Sequence, residues 1–510
     1  PATELNRRNP CPQRDKPWVL ATAILGSSLA FIEGSVVNLA LPAIQSSLQA
    51  ASTELLWVVN VYLLMLGSFM LVGGSLGDHF GLRRIFILGT GVFGLGALAC
   101  AFASSLPLLV AARALQGLGG ALLVPACLAL ISLHFDEHER GRAIGTWAGA
   151  SALTTALGPV LGGWLVDSWG WPSVFLLMVP LALLTSFLAW WRVPVDRPLR
   201  KGSRLDYPGA LLLAAALGLF IYALVDPLVQ SSRLTLFLIA LALGAAFLWR
   251  EARATAPMLP LGLFRSRAFS GANLMTLLLY GALSGGLYFL PFDLIQVQGY
   301  SALEAGAVFL PFALILGLGS TYAGGLIRRF DPRAILTLGP MITALGFAAL
   351  ALPGTHTAYF TGFLPGILIM AVGMTVSVAP LTTVVMGSVS EHQGGIASGV
   401  NNTASRLAGV LAVAALTTLA VAEFSSVLLG RLQQARIPAV LVQGLVADAA
   451  HLAELKPPAG VPAAMSAAVS DAVAQSYVGT FRLLVLVCAG LAAVSGLIAW
   501  FSLAGARRRD

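Results

Sequence analysis

Glu33, Arg113, Asp293 and Arg406 are ionisable side chains set inside long apolar stretches of the chain. A carboxyl in such a place has one chemistry to offer, the uptake and release of a proton. On insertion scales a carboxylate within a span costs roughly 2.5 to 3.5 kcal/mol, so an acid kept there is functional by default. The alternative for Glu33 is structural, a bond to a neighbouring helix or a side chain reaching for the interface. A guanidinium is permanently charged, and Arg113 therefore needs acceptors within its own surroundings. Asp293, in Pro291-Phe292-Asp293-Leu294-Ile295-Gln296 close to the outer end of its stretch, reads as a second protonation or cation-recognition site or, equally, as an interfacial acid in contact with water. Asn401, Asn402 and Arg406 fall at helical spacing along one side, which suits a cavity lining or interhelical hydrogen bonds.

The elements that hold these groups must be membrane helices. Of 510 residues 57% are hydrophobic and only 10% charged, a balance outside the soluble globular range. Apolar stretches of the length that crosses a hydrocarbon core of about 30 Å predict fourteen helices, near 17–41, 55–77, 84–103, 108–133, 141–166, 172–192, 206–226, 233–250, 268–297, 301–326, 333–352, 358–389, 395–421 and 478–504. The formal charge of +8 raises nucleic acid or an acidic membrane surface as partners. Placement decides between them. With a cytoplasmic N-terminus the inside segments hold 23 Lys and Arg, and the outside ones only Arg233, Arg431, Arg436 and Lys456. That is the positive-inside pattern, which puts both termini in the cytoplasm and the chain in the cell membrane as a multi-pass protein, with membrane lipid and no nucleic acid as partner.

Several chemistries are not expected. Cys11, Cys100, Cys127 and Cys488 show no CxxC spacing, so neither a disulfide framework nor a zinc site follows. The six histidines fall in loops or at helix ends without ligand spacing, and no metal is expected. No P-loop is present, which argues against a built-in ATPase. The spans offer few paired groups for an enzyme, and the arm before Pro17 does not read as a signal peptide.

The stretch Gly74-Ser75-Leu76-Gly77-Asp78-His79-Phe80-Gly81-Leu82-Arg83 returns 250 positions later as Gly324-Gly325-Leu326-Ile327-Arg328-Arg329-Phe330-Asp331-Pro332-Arg333, with Gly, Leu, Phe and Arg coinciding. Duplicated bundles are a common transporter design. The expected organisation is an N-terminal arm at 1–16, a six-helix bundle at 17–192, a linker at 193–267 carrying two extra central helices, and a second six-helix bundle at 268–504. That bundle includes an outside loop at 422–477, open to amphipathic helices or a hairpin, and a cytoplasmic tail occupies 505–510.

Four motifs make the chain resemble the major facilitator superfamily, and within it the fourteen-helix drug:proton antiporters of the EmrB/QacA type. Glu33-Gly34-Ser35-Val36-Val37-Asn38-Leu39-Ala40-Leu41-Pro42 is similar to the family's first-helix pattern, which usually has Asp where this chain has Glu33. The 74–84 segment is similar to the gating signature between helices 2 and 3, with His79 and Leu82 departing from it. Arg113-Ala114-Leu115-Gln116-Gly117-Leu118-Gly119-Gly120 resembles the Arg-x-x-Gln-Gly-x-Gly pattern of helix 4. Gly158-Pro159-Val160-Leu161-Gly162-Gly163 resembles the antiporter motif of helix 5.

The resemblance implies an all-α, polytopic fold of two six-helix bundles plus two central helices. It implies proton-coupled export of small amphipathic or cationic compounds by alternating access, with export or flipping of a lipid, siderophore or native metabolite as the alternative. No cofactor is implied beyond the proton gradient, and a monomer is expected. Proton coupling would fall to Glu33, Arg113 and Asp293, gating to Gly74, Asp78, Gly81, Arg83 and Arg84, and the antiporter seal to Gly158, Pro159, Gly162 and Gly163. Candidates for substrate contact are Asn38, Gln116, Trp147, Tyr288, Asn401, Asn402 and Arg406. Aromatics such as Trp57, Phe69, Tyr280 and Tyr322 either join them or simply pack.

Overall fold

The computed structural model describes residues 13–49, 52–196, 206–225, 232–254, 257, 259–300, 302–327, 329–390, 393–449, 452, 455, 457 and 461–503. Within helices the side chains of 34, 35, 38, 39, 42, 52–56, 137, 156, 159, 160, 225, 302, 303 and 447 are outside that description. The fold is helical throughout. In chain order come α1 (Lys16–Leu48), α2 (Ser52–Phe80), α3 (Leu82–Ala101), α4 (Leu106–His134), α5 (Glu137–Trp169), α6 (Pro172–Arg192), α7 (Tyr207–Val225) and α8 (Arg233–Arg253). There follow α9 (Arg267–Phe292), α10 (Ala302–Ala307), α11 (Leu310–Leu326), α12 (Pro332–Ala349), α13 (Tyr359–Gly387), α14 (Gly394–Gln434), α15 (Ala439–Ala447) and α16 (Ala463–Ser502). A π-helical turn, Asp293–Val297, extends α9 beyond Pro291.

Among the described residues, twelve helical stretches are long and apolar enough to cross a membrane, and they match twelve of the fourteen expected spans. α1 and α5 stand at the first and fifth expected positions, each 33 residues long, but lie outside those twelve. Both are interrupted by side chains the description omits.

The expected loop at 422–477 is largely helical. α14 runs on to Gln434, and α16 starts at Ala463, well before the apolar boundary read from the sequence. Ala, Leu, Gln and Glu are strong helix formers, so a helix need not stop where its hydrophobic stretch does. The single helix expected at 301–326 is instead α10 followed by α11.

Two compact units make up the chain, one of Pro1–Asn273, Ser320–Asp331 and Val378–Ala404, the other of Leu274–Gly319, Pro332–Ser377 and Ser405–Asp510. In the first, α4 packs against α2, α3 and α1, α5 lies along α1, and α6 lies along α3. Glycine permits the α3–α4 approach: a Cβ on Gly96 would sit 2.7 Å from the Gln116 backbone nitrogen. Phe86, Phe93, Leu123 and Phe175 fill the interior, while Leu183 and Leu211 turn outward, 67% and 71% exposed. Apolar residues on both faces suit helices whose outer solvent is lipid. α7 and α8 pair with each other, and α7 also meets α2, where Trp57 and Tyr222 stand 5.5 Å apart.

In the second unit α16 packs along α12. It is tied to α9 by the Tyr477 hydroxyl, which donates to the Phe289 carbonyl at 2.9 Å, and by Ser495, which donates to the Met275 carbonyl at 3.3 Å.

Candidate functional site

Arg113 enters the first unit's core from α4, where a guanidinium survives only if its donors are matched. Nη1 donates to Glu33 Oε1 on α1 and, at 2.8 Å, to Gln116 Oε1 one turn along its own helix. Nε donates to the Val58 carbonyl of α2 at 2.8 Å. The Tyr62 ring faces the guanidinium at 4.4 Å, a cation–π contact, and the Tyr62 hydroxyl donates to the Ala30 carbonyl. Neither charge reaches solvent: Glu33 is 0% and Arg113 1% exposed. The second Glu33 oxygen, Oε2, and the Gln116 amide nitrogen are buried without a hydrogen bond. The site is thus a fully buried ion pair with the Gln116 amide beside it.

Asp78 ends α2, fully buried. Its Oδ1 accepts from the Gly395 N–H at 2.8 Å and its Oδ2 from the Ile396 N–H at 2.9 Å, so the carboxylate caps the first turn of α14. A carboxylate there meets both the orphan donors and the positive end of the helix dipole. The helices approach so closely that a Cβ on Gly74 would collide with the Gly395 carbonyl, and one on Gly395 with the Gly74 carbonyl. The second copy of the repeat does the same. Gly324, 250 positions after Gly74, meets the Gly141 carbonyl and the Cα of Gly145, and Gly145 stands 250 positions before Gly395. The sequence repeat is therefore a packing repeat, though Arg328 lies outside the described residues.

Around the α2–α3 turn, Gly81 adopts a positive φ of 100°. The turn is held by Asp196, beyond α6, whose oxygens accept from the Leu82 and Arg83 N–H groups. Arg83 reaches the other way, donating to the Ala189 and Trp190 carbonyls at the end of α6. Arg84 is exposed. On α5, a Cβ at Gly162 would stand 2.6 Å from Val36 Cγ1, so the helix-5 motif rests on the very turn of α1 that follows Glu33; Gly163 faces open space. Gly158 is buried. Trp147 is buried too, its indole N–H donating to Ser27 at 2.7 Å. Asn38 and Pro159 lie outside the described side chains.

Asn401 donates to Asn273 Oδ1 at 3.3 Å, and Asn402 bonds back to Ser398 on its own helix. Arg406, half-buried, Asp293 and Tyr288 belong to the second unit. Asp293 is buried, 2% exposed, and accepts from Gln298 Nε2 at 3.1 Å. Gln298 is in turn held by the Gly354 carbonyl and the Thr357 N–H. Tyr288 is 45% exposed against Phe292.

Val58, Tyr62 and Asp196 are missed by sequence reasoning, and so is a cluster in which Lys16, at the head of α1, bonds Asp136 and Glu139 beside the head of α5. A backbone acceptor such as the Val58 carbonyl leaves no mark in the residue type.

A family model described as Major Facilitator Superfamily matches residues 23–413. The tetracenomycin C resistance and export protein of Streptomyces glaucescens is 30% identical over 497 residues, 96% of this chain and 92% of that protein. The multidrug resistance protein Stp of Mycobacterium tuberculosis is 32% identical over 416 residues, 81% of this chain and 77% of its own length. Among solved structures, the human organic anion transporter MFSD10 is similar with a TM-score of 0.63 at 15% identity, over 95% of this chain and 99% of that one, which shows a shared fold. With a helical fold of many apolar spans, a family model matched over residues 23–413 and one relative aligned almost end to end, the chain belongs to the Major Facilitator Superfamily.

Proposed function

We propose that the chain is a proton-coupled exporter of small amphipathic or cationic compounds, working by alternating access in the cell membrane with fourteen spans and both termini cytoplasmic. The observation that carries this reading is the Glu33–Arg113 pair, in which neither charge reaches solvent. Protonating Glu33 removes one charge of the pair, and Arg113 still keeps Gln116 Oε1 and the Val58 carbonyl as acceptors. The guanidinium therefore has a lodging in both protonation states, as a proton carrier requires of its neighbour. One charge moved through 100 mV supplies about 2.3 kcal/mol, enough to bias a cycle without nucleotide hydrolysis.

Export is supported by the Gly158 to Gly163 motif seated on α1 and by relatives named for drug resistance and export. Asp78 acts in this scheme as a latch on the head of α14, and Asp293 as a second protonation or cation-recognition group. The test is proton movement into sealed liposomes carrying an internal pH dye, on adding lipophilic cations, for wild type and Glu33→Gln. Cation-triggered flux in the wild type alone supports antiport through Glu33. Equal behaviour moves the role to Asp293. No response to any cation in either protein turns the reading to a lipid, siderophore or native metabolite as cargo.

A further inference from the structure

A cleft of about 390 Å³ opens between the segment before α1, the α2–α3 turn and the end of α6, lined by Arg14, Asp15, Arg83, Trp191, Arg192 and their neighbours up to Val195. Its charge is unbalanced. Among the described lining residues three guanidiniums face one acid, Asp15, which pairs with two of them at 3.8 Å from Arg14 Nε and 4.0 Å from Arg192 Nη1, while Asp196, just past the lining, is taken up by the Leu82 and Arg83 N–H groups. Arg83 spends its donors on the Ala189 and Trp190 carbonyls and leaves its charge in place. Arg192 is held by rings as well as by its long ion pair with Asp15, 3.9 Å from the Trp191 centroid and 5.3 Å from that of Trp18, and its buried Nε makes no hydrogen bond.

Next to this cationic cleft lies apolar surface. Trp190, Trp191 and Val195 are 65%, 52% and 70% exposed. Tryptophan gathers at the level of lipid headgroups, and basic residues on the inner face meet a leaflet of negative surface potential. An inorganic anion would use the guanidiniums alone. An amphiphile with an anionic head uses both.

We infer that this cleft binds the phosphate-bearing headgroup of an anionic membrane phospholipid, with Arg14 and Arg192 on the phosphate and the tryptophans beside the upper acyl chains. The assignment is independent of the transported cargo. It gives Arg83 a further role, because a lipid seated there touches the turn that follows Asp78 and that Asp196, from beyond α6, holds by its backbone N–H groups.

The test uses the full chain in detergent micelles, incubated with phosphatidylglycerol, phosphatidylcholine or inorganic phosphate, with retained lipid counted by native mass spectrometry. Arg192→Gln and Arg14→Gln are compared with Arg253→Gln, which removes another guanidinium stacked on a tryptophan, Trp249 at 4.2 Å, but outside the cleft. Arg14 is 83% exposed, so its replacement leaves the fold intact. The expected result is selective retention of phosphatidylglycerol, reduced about fivefold by each cleft variant and about twentyfold by the pair, with Arg253→Gln unchanged. Equal retention of phosphatidylcholine, or equal losses in all three variants, overturns the site. Displacement of the lipid by inorganic phosphate at the same concentration overturns the lipid assignment in favour of a free-anion site.

Discussion

Glu33 and Arg113 form an ion pair across α1 and α4 in which neither side chain reaches solvent. Removing two charges from water is costly, and their attraction repays the cost only while both are present. The pair is therefore a device whose halves must be tested together. Arg113→Met leaves Glu33 buried without its counter-charge and should cost about 3–5 kcal/mol. Glu33→Gln combined with Arg113→Met leaves no buried charge and should recover part of that. Thermal unfolding in detergent checks the ordering: the double variant should melt above the Arg113→Met single. Identical melting of the two would mean that the pair is not coupled.

Asp78 offers a local readout, because its partners are backbone N–H groups. Asp78→Asn replaces one acceptor oxygen with an amide that faces an N–H, so at least one charge-assisted bond to the head of α14 is lost. The cost should be about 1–2 kcal/mol. Hydrogen exchange at Gly395 and Ile396 should then quicken about 5- to 30-fold, with α12 unaffected. Unchanged exchange at those two amides would remove Asp78 from the capping role.

What the sequence makes legible here follows from cost. Glu33 and Arg113 stand out because charge in an apolar run is expensive, and Asp78 because it sits between glycines. Their partners do not stand out. Glu33 and Arg113 meet 80 positions apart, and Asp78 meets Gly395 317 positions apart, through helix crossings that a linear pattern does not encode. The repeat is the exception, since its copies at 74 and 324 keep the glycines that both close approaches need. Asp293 shows the opposite case. Left open in the sequence between a protonation or cation site and an acid in contact with water, it lies buried at the start of a π-helical turn after Pro291, an irregularity that residue types do not announce. After 421 the sequence leaves amphipathic helices or a hairpin open, and in the structure Glu423, Arg431 and Gln433 continue α14.

Asp196 is a second capping acid, supplied from outside the helix it caps. Its two oxygens hold the Leu82 and Arg83 N–H groups at the head of α3, next to a Gly81 whose positive φ is tolerated because it has no side chain. Asp196→Ala should destabilise this turn by about 1 kcal/mol, the ordinary worth of an N-cap. The corresponding measurement is again exchange at those two amides, which should rise about fivefold. Asp196→Asn should lie between, since it keeps one acceptor.

Gly96 and Gly91 provide a paired test of how packing reaches the charge site, because both lie on α3 and differ in what surrounds them. A Cβ on Gly96 would stand 2.7 Å from the Gln116 nitrogen and 2.8 Å from its Cα, whereas one on Gly91 would meet nothing within 4 Å. Gln116 is the acceptor that keeps Arg113 in place alongside Glu33. Gly96→Ala must therefore push α3 from α4 or shift Gln116, at about 1–3 kcal/mol for overpacking. Gly91→Ala exchanges a glycine for the best helix former at an open site and should be neutral or stabilising by up to about 1 kcal/mol. Unfolding midpoints should separate the two in that order, and cation-triggered proton flux should fall in Gly96→Ala alone. If Gly96→Ala loses stability but keeps full flux, the Gln116 contact to Arg113 is structural and the coupling depends on Glu33 and the Val58 carbonyl alone.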